Sequence, residues 1–167
     1  TAKPLLIVVN IGEEQLPQAT SLETELQERY SRTNCSIITL CGELEMELAQ
    51  LEGDAAEELR AEFGIAKPGL ERAIRLSYEL LGLVSFLTVG PDEVRAWPIK
   101  DGTSALKAAG KIHSDIERGF IRAEVISYEE MIECGGLAEA RKKGLLRLEG
   151  KNYTVRDGDI INFLFNV

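Results

Sequence analysis

The chain has 167 residues, 44% hydrophobic and 28% charged, with 28 acidic against 19 basic side chains and a formal net charge of −9. That length holds one ordinary domain or two small ones, and the composition is that of an ordinary soluble globular protein. The acidic balance argues against wholesale nucleic-acid binding, DNA included, and the longest apolar run, Leu5 to Val9, is far too short to cross a bilayer.

Lys3-Pro4 leads into Leu5-Leu-Ile-Val-Val9, a run with β-branched residues that predicts a strand buried on both faces, as in parallel sheets covered by helices. Asn10-Ile11-Gly12-Glu13 follows at its carboxyl end, where open α/β sheets place ligands. A helix is predicted from Ser21, as a cap, to Tyr30. Cys35-Ser-Ile-Ile-Thr-Leu40 is a second buried strand, followed by Gly42 and a helical stretch carrying Leu44, Met46, Leu48 and Leu51. Gly53 breaks it. A short helix spans 55–63 and ends at Gly64, and 69–81 is amphipathic through Leu70, Ile74, Leu76, Tyr78 and Leu81. Two strands with helices between them are a part of a doubly wound sheet, since a lone parallel pair cannot bury both faces. No Gly-x-x-x-x-Gly-Lys-Ser/Thr phosphate loop occurs in the sequence, so the chain has no evident cradle for a triphosphate and its magnesium. It opens on Thr rather than Met, and is expected to have been cut from something longer.

The second half differs in charge. Residues 1–83 carry 7 basic and 15 acidic side chains, residues 84–167 carry 12 and 13, so any polyanion contact belongs to residues 84–167. Three cysteines, Cys35, Cys41 and Cys134, are too few and scattered for a disulfide framework or a four-ligand zinc site. Reduced thiols in a cytoplasmic protein are expected, and whether they sense oxidation depends on exposure and pKa. His113 is the single histidine, which leaves a two-histidine metal site or a Cys–His pair unsupported. Its plain reading is a hydrogen-bonded structural residue. Alternation puts Arg95 and Trp97 on one strand face; Trp97 is either core or an exposed stacking and partner contact. Lys107, Lys111, Arg118 and Arg122 dot the following segment, and Arg141-Lys142-Lys143 is a compact basic run. That run is either a solvated helix end or a phosphate contact. Asp157-Gly158-Asp159 reads as a turn between two strands rather than a metal loop.

Val84-Ser-Phe-Leu-Thr-Val-Gly, Val94-Arg-Ala-Trp-Pro-Ile-Lys-Asp-Gly-Thr, the segment from Ala108 through Ile112-His-Ser-Asp115 to Val125, and the closing Tyr153 to Val167 suit a small mixed sheet wrapped on one helix, ending in a hairpin. These residues resemble the TGS domain that ends the YchF/Obg-like family of ribosome-associated ATPases. The resemblance reaches back to Lys3-Pro-Leu-Leu-Ile-Val-Val-Asn-Ile-Gly-Glu13, similar to the strand and loop that carry that family's base motif, Asn-x-x-Glu. Ordinary GTPases place Asn-Lys-x-Asp there, and the Asp accepts from guanine's N1–H and exocyclic amine. Adenine offers neither donor, so a displaced carboxylate removes the reward for guanine.

The resemblance implies an α+β chain: a β-grasp, ubiquitin-like TGS domain at 84–167, preceded at 1–83 by the C-terminal part of an α/β, G-type P-loop NTPase domain without its phosphate loop. It implies base contacts at Asn10, Ile11 and Glu13, and at Cys41 and Gly42 in the loop where the family carries a Ser-Ala-Lys-like turn; Glu43 departs from the usual Lys. The implied ligand is ATP, with magnesium in the intact protein and no tight binding to this chain alone. The implied partner is the ribosome, through rRNA or a ribosomal protein, with Trp97, Arg95, Arg118, Arg122, Arg141, Lys142 and Lys143 as contacts. No hydrolysis by this chain alone is expected. A small-molecule sensor, with a pocket lined by Trp97 and His113, and a protein-binding adaptor are the competing readings.

Overall fold

A computed structural model describes residues 3–30, 32–90 and 92–166. They divide into two compact units, with the boundary between Leu81 and Gly82.

In the first unit, β1 (Leu5–Asn10) runs parallel to β2 (Cys35–Leu40) in the register Leu5↔Cys35 through Asn10↔Leu40. The connection carries a 3-10 turn (Glu13–Gln18) and α1 (Ala19–Arg29), because parallel neighbours need a crossover. Ser21, expected to cap this helix, lies inside it instead and donates its hydroxyl to the Gln18 carbonyl at 2.8 Å. The chain already turns helically at Glu13, with Pro17 inside the 3-10 turn, so no extended residue remains at Ser21 to cap anything. Three helices follow β2: α2 (Gly42–Leu48), α3 (Asp54–Glu62) and α4 (Gly69–Leu81). Cys41, Leu44 and Leu48 form a small core with Leu16, Leu59, Phe63 and Ile65.

The two strands of this unit are buried unequally. Ile37, Ile38 and Thr39 of β2 are all buried, but Leu5 and Val8 of β1 are 53% and 49% exposed. Side chains also close the outer edge of β2. The Gln27 amide donates to the Cys35 carbonyl (3.2 Å) and accepts from the Ile37 N–H (3.1 Å). Two residues on, Glu23 accepts from the Thr39 N–H (2.6 Å), while Arg72 donates to the Thr39 carbonyl (3.2 Å) and to Glu23. An unpaired strand edge is a template for unwanted pairing, and here two helices occupy it. On β1, by contrast, β2 is the sole strand partner among the described residues. Leu70, Ile74 and Leu81, counted as the buried stripe of α4 from spacing, are 70%, 51% and 44% exposed. A two-stranded sheet offers too little surface to cover them.

The second unit is a five-stranded mixed sheet of order β4-β3-β7-β5-β6. β3 (Leu83–Val89) pairs antiparallel with β4 (Val94–Lys100) and parallel with β7 (Asp159–Phe165). β5 (Phe120–Ser127) is antiparallel to both β7 and β6 (Arg147–Glu149). The expected mixed sheet on a helix is present: α5 (Ala105–Ile112) lays Ala105, Ala108 and Ala109, all fully buried, against Phe86, Val125, Ile161 and Phe163. Small side chains let a helix lie close to a sheet. A short α6 (Ser114–Arg118) follows.

The opposite face is covered by α7 (Tyr128–Cys134) and α8 (Leu137–Lys142) over Ile126 and Ile160; the spacing predicts a short helix from near Leu137, where α8 starts, but not α7. Successive strand residues point to opposite faces, so Val125 and Ile126, and likewise Ile160 and Ile161, serve two cores. The closing segment is not the expected hairpin: β7 inserts between β3 and β5, and 153–157 makes only one isolated bridge, Ser104↔Thr154. Asp159, 2% exposed, explains why. Its carboxylate accepts from the Tyr153 hydroxyl (2.8 Å) and the Arg156 N–H (2.8 Å), folding the segment into a loop. Burial first, then the bond to Asp159 and its charge, raises the Tyr153 pKa above the ordinary phenol value.

Candidate functional site

The carboxyl ends of β1 and β2 bring two loops together, because the parallel register stops both strands at the same level, Asn10 opposite Leu40. The Ile11 N–H then donates to the Leu40 carbonyl at 2.9 Å. The Asn10 side chain crosses the gap, and its Oδ1 accepts from the Gly42 N–H at 2.8 Å. A Cβ on Gly42 would sit 3.2 Å from that Oδ1, tighter than an ordinary contact, so a glycine suits the close approach. The adjoining Ile11 and Cys41 are 6% and 4% exposed. With Oδ1 engaged, Nδ2 of the exposed Asn10 is the remaining polar group, a donor suited to a ring-nitrogen acceptor.

Four of the five residues singled out for base contact, Asn10, Ile11, Cys41 and Gly42, therefore meet at one spot. Glu13 starts the 3-10 turn with its side chain exposed. The preceding Gly12 N–H is taken by Gln15 Oε1 at 3.1 Å, so it is the turn that fixes where Glu13 begins. Beside the loop lies a cavity of about 420 Å³. Its wall includes Cys41, Phe63, Thr39 and the Glu23–Arg72 pair. Sequence reading missed that pair and Gln27. The available signal was the four-residue spacing of Glu23 and Gln27, which puts two polar side chains on one helix face above an apolar strand.

In the second unit, Trp97 packs on the core, its ring near-parallel to Phe86 at 6.4 Å, and its Nε1 donates to Thr88 Oγ1 at 2.9 Å. Arg95 lies over the Trp97 ring, 4.3 Å from its centroid, as alternation predicts. His113 caps α6, its Nδ1 accepting from the Asp115 N–H at 3.1 Å. The basic side chains are spent unequally. Arg118 pairs with Asp115, Arg141 with Glu124 (2.8 Å), and Lys142 with Glu139 (2.6 Å). Arg122 and Lys143 are exposed and make no ion pair among the described residues. Among those residues no group of three or more His, Cys, Asp or Glu is placed to hold a metal ion, and no helix is long and apolar enough to cross a membrane.

Residues 83–166 match the family model YchF-GTPase_C, described as a protein of unknown function (DUF933). Over its whole length the chain is 45% identical to the ribosome-binding ATPase YchF of Bacillus subtilis (strain 168) and 41% identical to that of Escherichia coli O157:H7, covering 46% of each. It thus spans about half the length of these relatives. The solved structure of the Schizosaccharomyces pombe YchF GTPase superposes with a TM-score of 0.81 at 29% identity, over 98% of this chain and 44% of that one. A GTP binding protein from Pyrococcus horikoshii OT3 gives 0.64 at 21% identity, over 98% of this chain and 46% of its own, and speaks to the fold alone.

Proposed function

The chain belongs to the YchF GTPase family and corresponds to the C-terminal portion of its ribosome-binding ATPases, and from that membership we propose that it carries the base-reading edge of their nucleotide domain together with a ribosome-docking TGS module. The first unit is the C-terminal part of a G-type P-loop domain, and the second a β-grasp TGS domain. The observation that carries the nucleotide reading is the Asn10–Gly42 hydrogen bond. It fixes the amide so that Nδ2 donates to a purine ring nitrogen, beside the buried Ile11 and Cys41. Glu13, in Asn-x-x-Glu, lacks the reach pattern that rewards guanine, so adenine is preferred. ATP, with magnesium, would be held jointly with a phosphate-binding segment that this sequence does not contain. Bound ATP supplies the labile phosphoryl group; the residues here select and orient the base and carry no hydrolytic step, so this chain alone does not turn over nucleotide.

The test is a chimera in which this chain replaces the matching 46% of the Bacillus subtilis relative. Mg-ATP should bind well ahead of Mg-GTP; Asn10→Ala should lower both affinities, and Glu13→Asp should raise GTP relative to ATP. Unchanged preference in both variants would discard the assignment. The chain alone, titrated calorimetrically with either nucleotide, should show no tight binding.

For the ribosome, Arg122 and Lys143 are, of the cations singled out from sequence, the ones in no ion pair among the described residues, with Arg118, Arg141 and Lys142 held in internal pairs and Arg95 on Trp97. Binding to ribosomes should fall with salt, and Arg122→Glu with Lys143→Glu should weaken it. Salt-independent binding would point to a protein contact instead. Such a role places the protein in the cytoplasm. A second reading, a protein-binding adaptor module, is favoured by an apolar groove beside Trp97 that His113 does not line.

A further inference from the structure

We propose that the second unit holds a docking groove for a peptide whose bulky apolar side chain is flanked by lysines or arginines. The groove opens at the end of the α5-covered core and has a volume of about 470 Å³, within the range of specific binding clefts. Its walls are Trp97, Ile112 from the end of α5, Ile116 from α6 and Phe165 from β7. Phe165 is 44% exposed. These four side chains come from four separate elements, so the sheet and helices hold the groove open without a ligand. Pre-formed concavity is what lets a short segment bind without a large ordering cost.

Charge selects the occupant. Asp92 and Glu93 line the rim, both exposed and neither in an ion pair among the described residues, and no lysine or arginine lines the groove among those residues. The two acids are exposed, and the four apolar walls stand beside the neutral polar Thr88 and Asn162. A fitting ligand therefore keeps its cations outside the apolar contact, as a bulky residue between basic neighbours does. An RNA base fits poorly. The Trp97 ring is already attended by Phe86 and Arg95, and the rim carboxylates repel phosphate. The inference is independent of the nucleotide reading, since every residue it uses lies within residues 82–167.

Trp97 is the chain's single tryptophan, so its fluorescence reports the groove directly. The whole chain would be titrated with the peptide Lys-Lys-Phe-Lys-Lys, its charge-reversed form Glu-Glu-Phe-Glu-Glu, the anchorless Lys-Lys-Ala-Lys-Lys, and a uridine oligonucleotide. The expected result is a saturable change with the first peptide and at least about tenfold weaker binding of the acidic and anchorless ones. Asp92→Asn with Glu93→Gln, a surface change that leaves the core intact, should weaken the first peptide about tenfold, and Phe165→Ala should weaken it independently of salt. The proposal is overturned if the acidic peptide binds equally, if the oligonucleotide alone changes the signal, if no ligand changes it, or if the signal follows chain concentration, which would mark a self-contact.

Discussion

The two units solve the same problem, covering a sheet, to different extents. In the second, five strands carry helices on both faces, and neighbouring residues of β5 and β7 are buried in opposite directions. In the first, β2 is buried and its edge closed by Gln27, Glu23 and Arg72, whereas β1 leaves Leu5 and Val8 half exposed. Burial per residue rises with the number of layers a sheet is packed between, so the second unit has the means to stand alone and the first depends on what else meets β1. The open flank also bears on the proposed chemistry. Asn10 and Gly42 are positioned by the β1–β2 pairing and sit at the level where a completed sheet would present its ligand.

The largest effect expected from breaking this asymmetry is in the stronger unit. Phe86 is fully buried between Trp97 and Phe163, and Phe86→Ala should cost about 3–5 kcal/mol. Urea unfolding of the chain should show that loss in the transition reported by Trp97 fluorescence. Next comes the closed edge. Glu23→Ala leaves the Thr39 N–H and Arg72 without their shared acceptor and should cost about 1–3 kcal/mol, seen as faster amide exchange at Thr39 and Ile37 and a greater tendency to associate. Asn10→Ala removes one hydrogen bond between the loops, about 1 kcal/mol, with its signature confined to the Gly42 amide.

The smallest effect is a pH dependence. The folded state holds the Tyr153 proton more tightly than the unfolded chain does. This contribution is whole below the unfolded phenol value, about 10, and is lost as pH rises through the higher folded value. Stability of the second unit should fall above pH ~10. Tyr153→Phe should start from a lower plateau, because Asp159 loses a donor, and fall less steeply.

Sequence legibility followed the same division of causes. The strands at Leu5 and Cys35 and the helix at 69–81 were readable because apolar runs and helical spacing mark them directly. The meeting of Asn10 with the Cys41–Gly42 loop was implied by the family resemblance rather than by spacing, which marks only the loop after Val9 as a strand end. What escaped depended on tertiary partners. β5, Phe-Ile-Arg-Ala-Glu-Val-Ile-Ser, lacks clean alternation because both of its faces are buried at one end. The helix after it is announced by Ser127 and Glu130, a reciprocal cap that marks a helix start, but its short apolar spacing gives no further sign. Asp159 looks like a turn residue until its burial beside Tyr153 is seen. The exposure of Leu70 and Ile74 could not be read at all, since spacing reports that a stripe exists and not whether anything covers it.

The most direct test of the asymmetry is residue-resolved hydrogen exchange on the whole chain. Amides of β3, β5 and β7 should exchange only with global opening of their unit, while those of β1 exchange at least about a hundredfold faster, with β2 between them. Protection of Leu6 to Val9 equal to that of Val125 and Ile161 would contradict this, and would mean that the first unit is complete as two strands.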